Sequence, residues 1–200
     1  MPKYVILLLL AYSLAISAQG RAWDPAIIAR ANTAGNAAYL SAEEKKVILY
    51  VNLVRLDPKL FAETYLKHYL DSAGDNNSYT KSLLKTLLTT PAMGALSTDE
   101  VICRFSKDHA IRSGKENKIG HANFKDRIKE IKKNYGGYFA ENCDYGNEKA
   151  FDIVLGLLID EGVQSLGHRK NILNPVYKSI GVSIKPHKGY KWNCVMNLGA

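Results

Sequence analysis

Cysteine is scarce in this chain and scattered where it occurs. Cys103, Cys143 and Cys194 are its three thiols, and no two form a C-x-x-C pair. That argues against a cysteine-ligated zinc site and allows at most one disulfide, with one thiol left over. Cys103 falls in an apolar helical stretch and reads as buried packing. Cys143 and Cys194 both fall in strand-like segments, so any disulfide is expected to join those two. Long apolar runs are absent but for one, Tyr4 to Ile16, which is too short to persist as a membrane span. With Met1-Pro2-Lys3 before it and Ser17-Ala18-Gln19 after it, the run reads as a signal peptide over residues 1–18. The mature chain is then expected outside the cytoplasm, secreted or periplasmic, with no integral membrane segment. No cysteine follows the run, so a lipid anchor has no acceptor there. Internal repeats, low-complexity tracts and nucleic-acid-binding motifs are missing too. The net charge of +8, with basic clusters at 125–133 and 185–191, therefore reads as a solvated face with loose attraction to anionic surfaces.

What is present is a chain of helices followed by strands. Residues 19–40 are rich in Ala, Gly and Asn without periodicity and read as a linker or loosely docked arm, leaving 41–200 as the domain. Ser41-Ala42-Glu43-Glu44 is a capping-box start, followed by Val47, Tyr50, Val51 and Val54 at helical spacing. Asp57-Pro58 ends that helix and opens the next, and Thr90-Pro91 closes a third. Ser97-Thr98-Asp99-Glu100 reads as a second capping box, opening a helix that is expected to stop at Gly114. Asn123 is expected to cap a basic helix, and Asn147 the apolar helix that runs to Leu158. Tyr138 to Cys143 reads as a strand, and Ser179 to Lys185 with Tyr190 to Leu198 as a hairpin. Strands that come late and adjacent, under many helices, predict an α+β domain with a central antiparallel sheet.

Three ionisable residues sit in unexpected places. His121 follows Gly120 in a loop, Glu141 interrupts an apolar strand, and His168 follows Gly167 after a helix that carries Asp160 and Glu161. Two imidazoles with two or three carboxylates suit a zinc-like divalent ion with an open coordination position, or acid–base work on a bound molecule. His109 lies near the inward face of its helix and reads as a core or rim histidine bonded to backbone.

The set Asp108-His109-Ala110, Gly114, Gly120-His121, Ala140-Glu141-Asn142 and Gly167-His168-Arg169-Lys170-Asn171-Ile172-Leu173 resembles the CAP superfamily, or SCP domain, in its bacterial secreted branch. The resemblance runs from about Glu43 to the C-terminus. It implies a three-layer α-β-α sandwich with a central cleft, in which His121 and His168 hold a divalent metal and Glu141 lines the same cavity. A fourth cavity position falls on Asp160 in a gap-free reading and on Glu161 by helical phase, and both stay open here. The first functional expectation is a non-enzymatic secreted module that binds a metal and a small ligand, with lipid, sterol or glycan as the classes the resemblance implies. The second is a hydrolase, in which the metal or the His121, Glu141 and His168 set does acid–base work. Ser165 is a poor nucleophile candidate because no G-x-S-x-G elbow surrounds it. The third is an adhesion or structural module that has no use for the cleft.

Overall fold

The computed structural model describes residues 22–133 and 135–200. The segment read as a signal peptide lies outside the described residues. Among those described, no helix is long and apolar enough to cross a membrane.

The order of elements follows the capping signals closely. Helix α1 spans Pro25–Ala31 and is capped by Asp24. Helix α2 spans Ala42–Leu56 behind a complete capping box of Ser41 and Glu44. Asp57 ends α2 and caps α3, Pro58–Phe61, which runs through a π-helical turn into α4, Lys67–Ala73. Helix α5 spans Ser78–Thr89 with Asn77 as its cap. A two-residue strand, β1 (Ser97–Thr98), precedes α6, Glu100–Glu116. The second capping box does not form, because Ser97 and Thr98 are drawn into the sheet and Asp99 alone caps α6. The rest is α7 (Phe124–Lys132), β2 (Phe139–Tyr145), α8 (Ala150–Ile159), α9 (Gly167–Ile172), β3 (Ser179–His187) and β4 (Lys191–Gly199).

The four strands are ordered β1-β3-β4-β2. Only the short β1–β3 pair is parallel; β3–β4 and β2–β4 are antiparallel. Helix α6 lies on one face. Ser106 donates to Gly181 O and Asn197 to Ser106 there, while Ala110, Cys143 and Val195 pack together. Helices α2, α8 and α9 cover the other face, where Ile180, Val182, Met196 and Leu198 join the main core. This is the expected three-layer arrangement. Gly114 does not stop α6; it lets the helix touch the sheet, since a Cβ there would lie 2.1 Å from Pro186 O. At Gly181 a Cβ would lie 2.3 Å from the Cys103 amide for the same reason.

Three further expectations are corrected. Residues 25–40 are not a loose arm: Ala31, Ala34 and Leu40 belong to the main core, and Asn52 of α2 donates to Ala31 O at 3.0 Å. The polar cap of α8 is not Asn147. The N-cap is Lys149, and the Ala150 amide donates to the Glu43 carboxylate on α2 at 2.9 Å. Cys143 and Cys194 do not form a disulfide; all three cysteines are free and buried. Cys143 faces Val195 and Cys194 faces Asp144, an offset of one residue between neighbouring strands. Side chains alternate along a strand, so the two thiols point to opposite faces of the sheet, one under α6 and one into the main core.

Arg55 holds the helical layer together. It is 1% exposed, and its guanidinium donates to the carbonyls of Gly94, Ile172, Asn174 and Tyr177. Burial pulls its pKa down to about 10, which still leaves it charged at neutral pH. No carboxylate is bonded to it among the described residues, so four carbonyl dipoles carry the compensation that a buried charge requires.

Candidate functional site

Strand β2 is the sheet edge on which two histidine-bearing segments meet. Its consecutive residues Glu141 and Asn142 point to opposite faces, as strand geometry demands. Each serves a different segment.

On the α6 face, Asn117 ends the helix in the left-handed region, with φ of 54°. Gly120, with φ of 82°, then reverses the chain. The turn is pinned twice: the Gly120 amide donates to Tyr145 Oη at 2.7 Å, and Gly120 O lies 3.0 Å from His109 Nε2. His109 is thus the buried, backbone-bonded histidine its position predicted. The pinned turn delivers His121 Nδ1 to within 3.0 Å of Glu141 Oε1. Arg127 on α7 grips the same carboxylate in bidentate fashion, at 2.8 and 2.9 Å, with its guanidinium between the Phe105 and Phe124 rings. Burial alone would raise the Glu141 pKa. The bonds from His121 and Arg127 and the positive charge of Arg127 outweigh it, so the carboxyl is held below its ordinary value.

On the α8 and α9 face, α8 ends at Ile159 and Asp160 takes a left-handed conformation, with φ of 60°. Its Oδ2 accepts the amides of His168 and Arg169, capping α9, while its Oδ1 lies 2.7 Å from His168 Nδ1. Of the two acids left open for the fourth position, Asp160 is the one bonded to His168. Asp160 is 2% exposed, whereas Glu161 is exposed on the turn beyond. Helical phase pointed to Glu161 only on the assumption that the helix continued. Asn142 locks α9 to the strand: its amide donates to His168 O at 3.1 Å, and Asn171 donates to its oxygen at 2.8 Å. The Arg169 guanidinium is buried and donates to the carbonyls of Leu158, Ile159 and Tyr79 and to Ser82 Oγ. Ser165 is exposed, and no hydrogen bond joins it to His168 among the described residues.

The outcome is two carboxylate–histidine pairs, Glu141–His121 and Asp160–His168, with ring centroids 6.4 Å apart. In each, a carboxylate at Nδ1 fixes the proton on that nitrogen and leaves Nε2 as the lone-pair atom. Neither Nε2 has a hydrogen-bond partner among the described residues. The side chains of His121 and His168 are 46% and 21% exposed, so both are reachable from solvent.

A second set, His109, Glu141 and Cys143, is fully buried, and its donor atoms lie within 4.8 Å of one another, so by donor type it can hold a metal. Two of its donors are already partnered, although His109 Nδ1 is buried without a hydrogen-bond partner among the described residues. Glu141 carries the Arg127 cation, and His109 Nε2 faces a carbonyl. Burial, then the neighbouring Glu141 charge, pushes the Cys143 thiol far up.

Arg127, Asn142 and Tyr145 are the site residues that the sequence reading passed over. Arg127 was hidden inside a cluster read as solvated. The signal was there: Phe124, Arg127, Ile128 and Ile131 complete an i, i+3, i+4, i+7 stripe.

No curated protein matches the chain. Among solved structures, it is similar to an outer surface protein from Borrelia burgdorferi at 17% identity and a TM-score of 0.44, covering 73% of this chain and 93% of that one. It is also similar to a cysteine-rich secretory protein from Staphylococcus aureus at 10% identity and a TM-score of 0.47, covering 80% of this chain and 40% of that one. Residues 50–198 match the CAP family, described as the cysteine-rich secretory protein family. That span contains all four members of the two carboxylate–histidine pairs, and the chain belongs to the CAP family.

Proposed function

We propose that this protein is a secreted cleft module that binds a divalent, zinc-like metal ion through Nε2 of His121 and Nε2 of His168. The observation that carries the reading is the pairing of each ring with its own buried carboxylate. That is the outer-shell arrangement which orients an imidazole and raises its basicity toward a metal. Glu141 and Asp160 then act as orienting groups, and water or a ligand atom completes the coordination. The His109, Glu141 and Cys143 set is the poorer metal site, because an ion there would have to displace a bidentate guanidinium. A small ligand would approach the open side of the metal. An apolar groove of about 350 Å³ between α5 and α9, lined by Thr86, Leu166, Leu173 and Pro175 among others, offers room for an apolar ligand, but neither histidine lines it.

Titration calorimetry with zinc is the test. Wild type should bind one ion with modest affinity, since only two protein nitrogens ligate. His121→Ala and His168→Ala should abolish binding while the chain stays folded. Glu141→Gln should weaken binding by about tenfold, and Cys143→Ala should leave it unchanged. Binding that survives both histidine variants but is lost in Cys143→Ala would move the metal to the buried set. The hydrolase reading rests on the same two pairs acting as acid and base. It gains support only if ester or peptide turnover appears and falls with His121→Ala and His168→Ala.

A further inference from the structure

The two basic clusters of the sequence have different fates. In the 125–133 cluster, Lys129 pairs with Asp126, Lys133 pairs with Glu130, and Arg127 turns inward to Glu141. In the 185–191 cluster, Lys185 pairs with Glu44, but Lys188 and Lys191 enter no ion pair among the described residues. Lys188 sits on the β3–β4 turn and Lys191 opens β4 beside it, and the turn is fastened to the end of α6. The Lys188 amide donates to Gly114 O at 3.1 Å, His187 Nε2 lies 3.0 Å from Lys118 O, and Gly189 rests on the Asn117 side chain. The end of α6 adds Arg112 and Lys115, also without an ion pair among the described residues, and Lys118, whose one partner is Glu116.

Two apolar side chains project from the same knob. Ile119 is 59% exposed and Tyr190 is 47% exposed. Tyr190 is held in place by the rings of His187 and Tyr145, at 5.3 and 5.5 Å. The end of α6 and the turn fastened to it thus carry five cations and one acid together with an exposed aliphatic and an exposed aromatic residue. A soluble polyanion would be served by the charges alone and would gain little from Ile119. A membrane interface uses both, because lysines meet anionic headgroups while an aliphatic and a tyrosine sit at headgroup depth.

We propose that the knob formed by the end of α6 and the β3–β4 turn docks this protein peripherally on anionic phospholipid surfaces. Lys115, Lys118, Lys188 and Lys191 supply the electrostatic attraction, and Ile119 and Tyr190 make shallow insertions. Ile119 precedes Gly120 and His121 directly, so docking would bring the mouth of the cleft close to the lipid surface. The attraction does not depend on a metal being bound in the cleft.

Cosedimentation with large unilamellar vesicles tests the proposal. It should use the chain from residue 19 onward, which holds all of the described core and omits the apolar leader. Binding should appear on vesicles of phosphatidylcholine with about a third phosphatidylglycerol, be absent on phosphatidylcholine alone, and weaken with added salt. Lys188→Glu with Lys191→Glu should weaken it by tenfold or more, since each basic residue near such a surface is worth about 1 kcal/mol. Ile119→Ser with Tyr190→Ser should weaken it severalfold at unchanged charge. Lys81→Glu with Lys85→Glu on exposed positions of α5 is the control and should cost much less. The proposal is overturned if anionic vesicles are not bound, or if the control weakens binding as much as the knob variants do. It is also overturned if the Ile119 and Tyr190 variant binds vesicles like wild type while heparin competes equally for both. That result would point to a soluble polyanion instead.

Discussion

The grip of Arg127 on Glu141 can be tested by a double-mutant cycle. The side chains are 8% and 1% exposed, so the charge pair is close to fully removed from water. Two charge-assisted bonds join them, each worth about 1.5–3 kcal/mol where measured elsewhere. Arg127→Met keeps the apolar stem between Phe105 and Phe124 but leaves a carboxylate buried with only the imidazoles of His121 and His109 to face it, at 3.0 and 3.8 Å. Breaking one partner of such a pair costs about 3–5 kcal/mol, because the remaining charge is uncompensated. Glu141→Gln should cost a similar amount by stranding the guanidinium. The double variant should be less destabilised than the sum of the two by at least about 2 kcal/mol. Urea unfolding of the four proteins at pH 7 gives the cycle. The pH dependence has a definite sign. Glu141 is held below its ordinary pKa in the fold, so its contribution is present above the unfolded value and is lost as pH falls through the folded one. The gap between wild type and Arg127→Met should therefore narrow in acid. Single-variant costs below about 1 kcal/mol, simple additivity, or a gap that widens in acid would each refute the reasoning.

Two further predictions concern groups that the cleft does not use. Asp144 is half-buried beside α8, its buried Oδ1 has no partner among the described residues, and burial first, with Asp152 adding to it, lifts its pKa to about 6. A raised acid is favoured protonated in the fold, so the fold is most stable below the unfolded value and loses that stability as pH rises toward 6. Asp144→Asn should gain about 1–3 kcal/mol at pH 8 and almost nothing at pH 4; a gain that is equal at both, measured by chemical unfolding, would contradict this. For the cysteines, a thiol reagent should react slowly with the native chain and titrate three thiols per chain after unfolding without reductant. Peptide mapping that linked Cys143 to Cys194 would show the β2–β4 register to be wrong.

Much of the fold was legible because its boundaries are written locally. Ser41 with Glu44 and Asp57 before Pro58 each satisfy orphan amides with their own side chains, so those helices begin where the sequence says. The failures share a different cause. α8 is capped by Glu43, more than a hundred residues away, and Ser97 and Thr98 are taken from a cap by pairing with β3. Residues 25–40 have no helical periodicity to advertise, yet Ala31 and Ala34 are small enough to be fully buried, and bonds from Asn52 of α2 to Ala31 O and from Thr33 to Leu96 O hold the segment. Long-range partners leave no periodic trace.

The same distinction explains the site. Each histidine was visible because a glycine precedes it; Gly120 does take a left-handed backbone, whereas before His168 it is Leu166 that does so and Gly167 opens α9. Their partners were visible only as residue types, and helical phase could not separate Asp160 from Glu161 because the helix ends at Ile159. The adjacent pair Glu141-Asn142 has a reason that spacing alone did not disclose. A strand sends neighbours to opposite faces, so one residue can orient His121 from the α6 side while the next clamps the His168 segment from the α9 side. Inserting or deleting one residue in β2 would reverse both faces at once. The Glu-Asn step is thus the hinge of the geometry: the distance between the two rings is set by one peptide unit of an edge strand, held flat by its full antiparallel register with β4.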